Sequence, residues 1–202
     1  MSVHLHPVFA CVWLLEIGTL LWLGLMPKQA SWFGWYIWLW GLREVISFSF
    51  SWFAIPYSDY LIYVWTTQFL LHLMACIVIL RCVQIKLPRS IFGNFLLSFG
   101  VLTVMCVMWS TGKVQWVEGT ANLWIAILAW VVWARIQPWM LMDAGRRALP
   151  GFLILYSGGV VTSWIWALRP APQPAVWAVE FAVQGAALAW WLRTSLARSP
   201  RR

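Results

Sequence analysis

Seven stretches of mostly apolar residues follow one another along the chain, at approximately 7 to 26, 32 to 53, 59 to 80, 90 to 110, 116 to 137, 150 to 168 and 174 to 194. Each is long enough to cross a hydrocarbon core of about 30 Å, which takes about 20 residues of helix. Because every backbone polar group must be satisfied inside lipid, a chain of this kind has helices as its spanning form. The sequence therefore predicts one all-α domain over residues 1 to 202, a polytopic bundle of seven transmembrane helices. With 62% hydrophobic residues, 10% charged residues and a mean hydropathy of +0.76, little is left over for a soluble domain.

Proline placement gives an independent check on these boundaries. All 10 prolines fall at span ends or in connections, with Pro150 opening the sixth span, so no span is expected to hold an internal proline. The segment before Pro7 has no Lys or Arg, and no A-x-A site follows the first apolar run. The first span is thus expected to be an uncleaved helix rather than a signal peptide.

The basic residues orient the chain. With the N-terminus outside, Lys28, Arg81, Lys86, Arg89, Arg135, Arg146, Arg147, Arg193, Arg198, Arg201 and Arg202 all lie inside, and only Lys113 and Arg169 lie outside. That asymmetry is the positive-inside rule, and it places the C-terminus in the cytoplasm, with a bacterial inner membrane as the expected location. The net charge of +8 is then topological. It does not describe a nucleic-acid surface, because the cations are scattered over short loops. The Arg-rich tail suits anionic headgroups or a neighbouring subunit.

Against this apolar background, Glu16, Glu44 and Glu180, with Arg43 and His72, stand inside predicted spans. Ionisable groups at such depth cost a few kcal/mol or more and face a bundle interior, where they pair or line a pocket. Helical spacing groups their neighbours. Trp40, Arg43, Glu44, Ser47 and Ser51 form one stripe of the second span, and Trp65, Gln68, His72 and Cys76 form one of the third. Glu180 and Gln184 are one turn apart in the seventh span, as are Glu118 and Asn122 in the fifth. In the assigned orientation Glu16, Glu44 and His72 fall near mid-membrane, Glu180 nearer the outer surface, and Glu118 and Asp59 at the outer rim, so polarity funnels inward from outside.

Three deep acids face one fixed base, Arg43, and one titratable base, His72. They cannot all be ionised comfortably, and at least one of Glu16 and Glu180 is expected to be neutral at pH 7. A neutral carboxyl donates a proton and a paired carboxylate accepts one, so the cluster has the parts for acid and base work. The same residues serve equally as polar glue between helices, through a Glu44 to Arg43 or a Glu16 to His72 contact. For His72, a core position with a bond to Gln68 or to a neighbouring helix is the expected arrangement. Gly158 with Thr162, Gly159 with Ser163, and Ala178, Ala182, Gly185, Ala186 and Ala189 are small-residue faces expected to let helices approach closely. Most tryptophans, Trp32, Trp139, Trp177 and Trp191 among them, sit near span ends where aromatic belts form, while Trp13, Trp38, Trp40, Trp65 and Trp124 lie deeper.

No GxSxG, HExxH, CxxC or phosphate-loop pattern occurs, so hydrolase, zinc-protease and thiol-redox chemistry have no support. His4 and His6 belong to the outer tail, which leaves His72 as the one intramembrane histidine and excludes a bis-histidine haem within the chain. No metal site is expected. Cys11, Cys76, Cys82 and Cys106 are not placed as disulfide partners.

The stretch with Lys28-Gln29, an aromatic second span carrying Glu44, and an Ile55-Pro56 turn into the third span resembles the small seven-helix integral membrane terpene cyclases of meroterpenoid pathways. In that family an acid in helix two and another in helix seven protonate and quench an isoprenoid. The resemblance implies those roles for Glu44 and Glu180, in a dry pocket lined by Trp13, Trp40 and Trp65, whose ring faces stabilise carbocations. Arg43 stands where the family has Trp, and the helix-seven acid is Glu rather than Asp. A fixed cation beside the acid also opposes a nearby carbocation.

Three functional classes suit these features. The first is a membrane subunit or binding protein that docks in a larger complex, or associates with itself, and holds an apolar molecule such as a quinone, carotenoid, isoprenoid or lipid. Its expected ligand-binding residues are Arg43, His72, Gln68, Trp13, Trp40, Trp65 and Gln184, with Glu44, Glu180 and Glu16 as the expected catalytic residues if the chain is an enzyme. The second is an isoprenoid cyclase or isomerase. The third, proton-coupled transport, fits the acidic funnel but lacks the broken helices of that class.

Overall fold

The computed structural model describes residues 7–25, 31–52, 57–82, 114–135, 143–168 and 174–196, and every element among them is a helix. These are α1 (Pro7–Gly24), α2 (Ser31–Trp52), α3 (Tyr57–Arg81), α4 (Val114–Arg135), α5 (Asp143–Leu168) and α6 (Pro174–Leu196). Their bounds follow local chemistry. Pro7 and Pro174 open α1 and α6, where a missing N–H leaves no intrahelical bond unmade. The expected span at 90 to 110 lies outside the described residues, as do Cys106 and the two tail histidines.

Three helical segments, Pro7–Gly24, Arg147–Leu168 and Pro174–Leu196, are long and apolar enough to cross a membrane. Only 22%, 33% and 22% of these windows is buried, so most of their apolar surface faces outward. One boundary differs from expectation. α5 begins at Asp143, so Pro150 lies inside the helix rather than at its start. A proline there has no N–H to give to the Arg146 carbonyl four residues back, and it lies within the apolar segment Arg147–Leu168, so the helix continues through it with that one bond missing.

The chain divides into two compact units, Met1–Val78 with Leu188–Arg202, and Ile79–Ala187. In the first, α1 and α2 pack along each other. Trp13 bonds Glu44 while Trp38 bonds Gly24, so the two helices run antiparallel. The Trp38 indole N–H donates to the Gly24 carbonyl at 3.2 Å and so satisfies one of the orphan acceptors at the end of α1. The core gathers Leu20, Leu23, Phe33, Tyr36, Ile37 and Trp40 around Trp191 of α6. Trp191 is only 1% exposed and meets Phe33, Tyr36 and Trp40 edge to face, at centroid distances of 5.2, 6.4 and 6.1 Å. It is a core residue of this unit and not a belt residue. Facing aromatics give it a dry, complementary cage that proximity to a span end did not suggest.

In the second unit α4 and α5 pack along each other through small residues. A Cβ added at Gly119 would collide with the Trp164 ring, and one at Gly158 with the Val183 side chain of α6. Gly159 lies against Asn122, whose amide donates to Ser163 Oγ at 3.4 Å. The small face of α5 is therefore a packing surface. That of α6 is not, because Ala178, Ala182, Gly185, Ala186 and Ala189 are all exposed among the described residues and nothing lies within 4 Å of where a Gly185 Cβ would be. The close approach of α5 to α6 uses Gly158 and Val183 in its place.

Replacement Gly158→Val is expected to cost about 1 to 3 kcal/mol by overpacking, with partial recovery in Gly158→Val/Val183→Ala. Gly185→Ala should stay within about 0.5 kcal/mol of the parent. Unfolding in mixed micelles, followed by far-ultraviolet circular dichroism, measures all three.

Candidate functional site

Glu44 organises the first unit. It lies in α2, one turn after Trp40, and is 6% exposed. Its Oε2 accepts the Trp13 indole N–H from α1 at 2.8 Å, and its Oε1 accepts the Trp40 indole N–H at 3.1 Å and Arg43 Nη1 at 2.6 Å. Indole and guanidinium nitrogens only donate, so all three bonds define Glu44 as an acceptor. The Arg43 pair is charge-assisted and the shortest of the three. Residues i and i+1 point about 100° apart on a helix. The Arg43 side chain must therefore curl back to reach its neighbour, and it does so while still partly exposed at 19%. Trp13 is further held by Phe48, edge to face at 5.3 Å, one turn beyond Glu44.

α3 joins through Tyr63, whose hydroxyl donates to the Arg43 carbonyl at 3.2 Å and whose ring meets Phe50 at 4.8 Å. Farther along α3, Gln68 Nε2 lies 3.0 Å from His72 Nε2, one turn apart. His72 is buried, and Cys76, the next member of that stripe, is fully buried. With the amide nitrogen as donor, the His72 ring accepts at Nε2. The histidine thus has the core arrangement expected of it.

Placement of the expected site residues is uneven. Trp13, Trp40, Arg43 and Glu44 come together at one point, and Gln68 meets His72. Glu16 is buried on α1 one turn beyond Trp13. Glu180 and Gln184 are half-buried on the part of α6 that belongs to the second unit. Trp65 lies in α3, but its side chain, like those of Ser51 and Asp59, is outside the described residues. Tyr63 and Trp191 were missed by pattern reading. Tyr63 sits near the start of α3 in a run of aromatics, and nothing in its spacing marks a tertiary hydroxyl bond.

Among the described residues no group of three or more His, Cys, Asp or Glu could hold a metal ion, and Cys11, Cys76 and Cys82 are free thiols. Searches against protein-family models, curated proteins and solved structures find no match for this chain.

Chemically, the cluster is a carboxyl group paired with a guanidinium and flanked by two indoles whose N–H edges are turned to it. Of the two roles the terpene-cyclase resemblance implies, proton donation and quenching, only the accepting one matches the bonds around Glu44. Glu44→Gln removes the charge that balances Arg43 and replaces one acceptor oxygen by a donor that faces N–H groups. A loss of about 1 to 3 kcal/mol is expected. The pair Arg43→Met/Glu44→Gln should recover most of it, because it removes the uncompensated charge while keeping an acceptor oxygen for an indole N–H. Detergent unfolding of the three proteins checks the order.

Proposed function

We propose that the chain is an integral membrane binding protein that holds an apolar ligand of quinone, carotenoid, isoprenoid or lipid type against the Glu44 cluster. In this reading it spans a bacterial inner membrane seven times, with the N-terminus outside, and serves as a component of a larger membrane assembly. The observation that carries the reading is an inversion of polarity. Glu16, Glu44, Ser47, His72 and Asn122 are buried, while large apolar side chains such as Leu15, Trp35, Leu42, Trp130 and Val161 are more than one third exposed. Water penalises that arrangement at both places, and lipid reverses the penalty on the outside. Inside, a satisfied carboxylate edged by indoles gives an apolar molecule both a polar anchor and flat aromatic surface.

A second reading is an isoprenoid cyclase in which Glu44 is the group that receives the proton. It is favoured by the accepting geometry of Glu44 between Trp13 and Trp40.

Native mass spectrometry of the protein released gently from its own membrane, with analysis of the lipid extract, tests both. The expected result is an apolar small molecule retained at fixed stoichiometry by the parent and reduced at least threefold in Trp13→Phe/Trp40→Phe, a change that deletes both indole donors. Release only with other polypeptides, and with no small molecule, would replace ligand binding by a purely scaffolding role. Turnover of a prenyl substrate by the parent but not by Glu180→Gln would establish the cyclase.

A further inference from the structure

Hydroxyls inside these helices follow one habit. Thr19, Ser49, Thr67, Thr120, Thr162 and Thr194 each donate to the carbonyl four residues earlier, at 2.7 to 3.2 Å. This is the usual way for a hydroxyl in an apolar helix to satisfy itself. Ser47 breaks the habit. It is 6% exposed, and its Oγ has no hydrogen-bond partner among the described residues. A competing donor lies one helix away. The carbonyl four residues before Ser47 is that of Arg43, and the Tyr63 hydroxyl already occupies it from α3. A buried hydroxyl left without a partner costs about 1 to 3 kcal/mol, so the position calls for an external group.

The neighbouring chemistry says which group. Ser47 follows Glu44 by one turn on the same face, about 5 to 6 Å away between Cβ atoms. Glu44 Oε1 accepts two donors, but among the described residues Oε2 accepts only the Trp13 N–H and retains lone-pair capacity. A single oxygen placed between them would receive the Ser47 O–H and must give a proton to Glu44 Oε2. A ligand hydroxyl does both. A carbonyl or ether oxygen can take the serine proton but would present its own lone pairs to a carboxylate.

We propose that Ser47 Oγ and Glu44 Oε2 together form a subsite for the hydroxyl of an apolar alcohol or phenol, with Tyr63 as the positioning residue that turns Ser47 away from its own helix. The assignment rests on the ligand-binding reading above and narrows it, favouring a quinol, prenol or hydroxylated carotenoid over a quinone, aldehyde or hydrocarbon.

Equilibrium binding of two probes to the full chain in lipid nanodiscs tests this, using radiolabelled geranylgeraniol and its methyl ether, which differ in the hydroxyl proton. The parent should bind the alcohol about three- to tenfold more tightly than the ether, the range one neutral hydrogen bond supplies. Ser47→Ala takes away the donor that seats the hydroxyl against Glu44 Oε2, so it should remove that preference and leave binding of the ether, whose lone pairs the carboxylate repels from this position, unchanged. Tyr63→Phe frees the Arg43 carbonyl for Ser47 and should remove the preference as well. Adding it to Ser47→Ala should change nothing more, a dependence that a merely structural tyrosine would not show. Equal binding of the two probes by the parent, or a preference that survives Ser47→Ala, overturns the hydroxyl subsite and leaves apolar binding standing. Failure of both probes to bind overturns the ligand-binding reading together with the subsite.

Discussion

A carboxylate removed from water must be met by donors from the protein, and the way Glu44 is met fixes the first unit. One donor comes from α1, and two come from α2 itself. The bond to Trp13 ties the two helices at their middles, and Trp38 on the Gly24 carbonyl ties them near the turn. The Trp40 indole that reaches Glu44 is also edge to face with Trp191. The aromatic core therefore holds a donor in register as well as filling space. Moving Trp191 would disturb the polar cluster through Trp40 without touching it.

The second unit is assembled on the opposite logic. There the helices approach because side chains are absent at Gly119 and Gly158, and the polar contact between Asn122 and Ser163 is long at 3.4 Å. Dispersion between close backbones replaces strong hydrogen bonds as the cohesive term, as suits an apolar surrounding in which burying hydrocarbon gains little. One unit thus concentrates charge and indole N–H groups, whereas the other is defined by shape.

How much of this was legible in the sequence depended on range. Faces generated by helical period were readable. Of the stripe through Trp40, Arg43, Glu44, Ser47 and Ser51, Trp40, Glu44 and Ser47 are buried, Arg43 is half-buried and the Ser51 side chain is outside the described residues; Gln68 does meet His72, and Gly158 and Gly159 do mark a packing surface. Partners brought together by tertiary packing were not. Nothing in the spacing joins Trp13 to Glu44 across 31 residues or turns Tyr63 onto the Arg43 carbonyl. Composition misled at Trp191 and along the α6 alanines, because being a tryptophan near a span end or a small residue on a helix says what a surface permits and not what fills it. The early start of α5, with Pro150 inside, was hidden because proline is equally common at a helix start.

The adjacency of Arg43 and Glu44 has a consequence for the order of assembly. Most buried charges find their counter-ion on another element and must wait for it. α2 carries both partners in consecutive positions, so the guanidinium is neutralised as soon as that turn forms. A buried charge that has lost its partner costs about 3 to 5 kcal/mol. Self-pairing lowers that cost for α2 before α1 or α3 has docked. The Trp13 bond is then a later step that selects the correct neighbour rather than a condition for burying the charge.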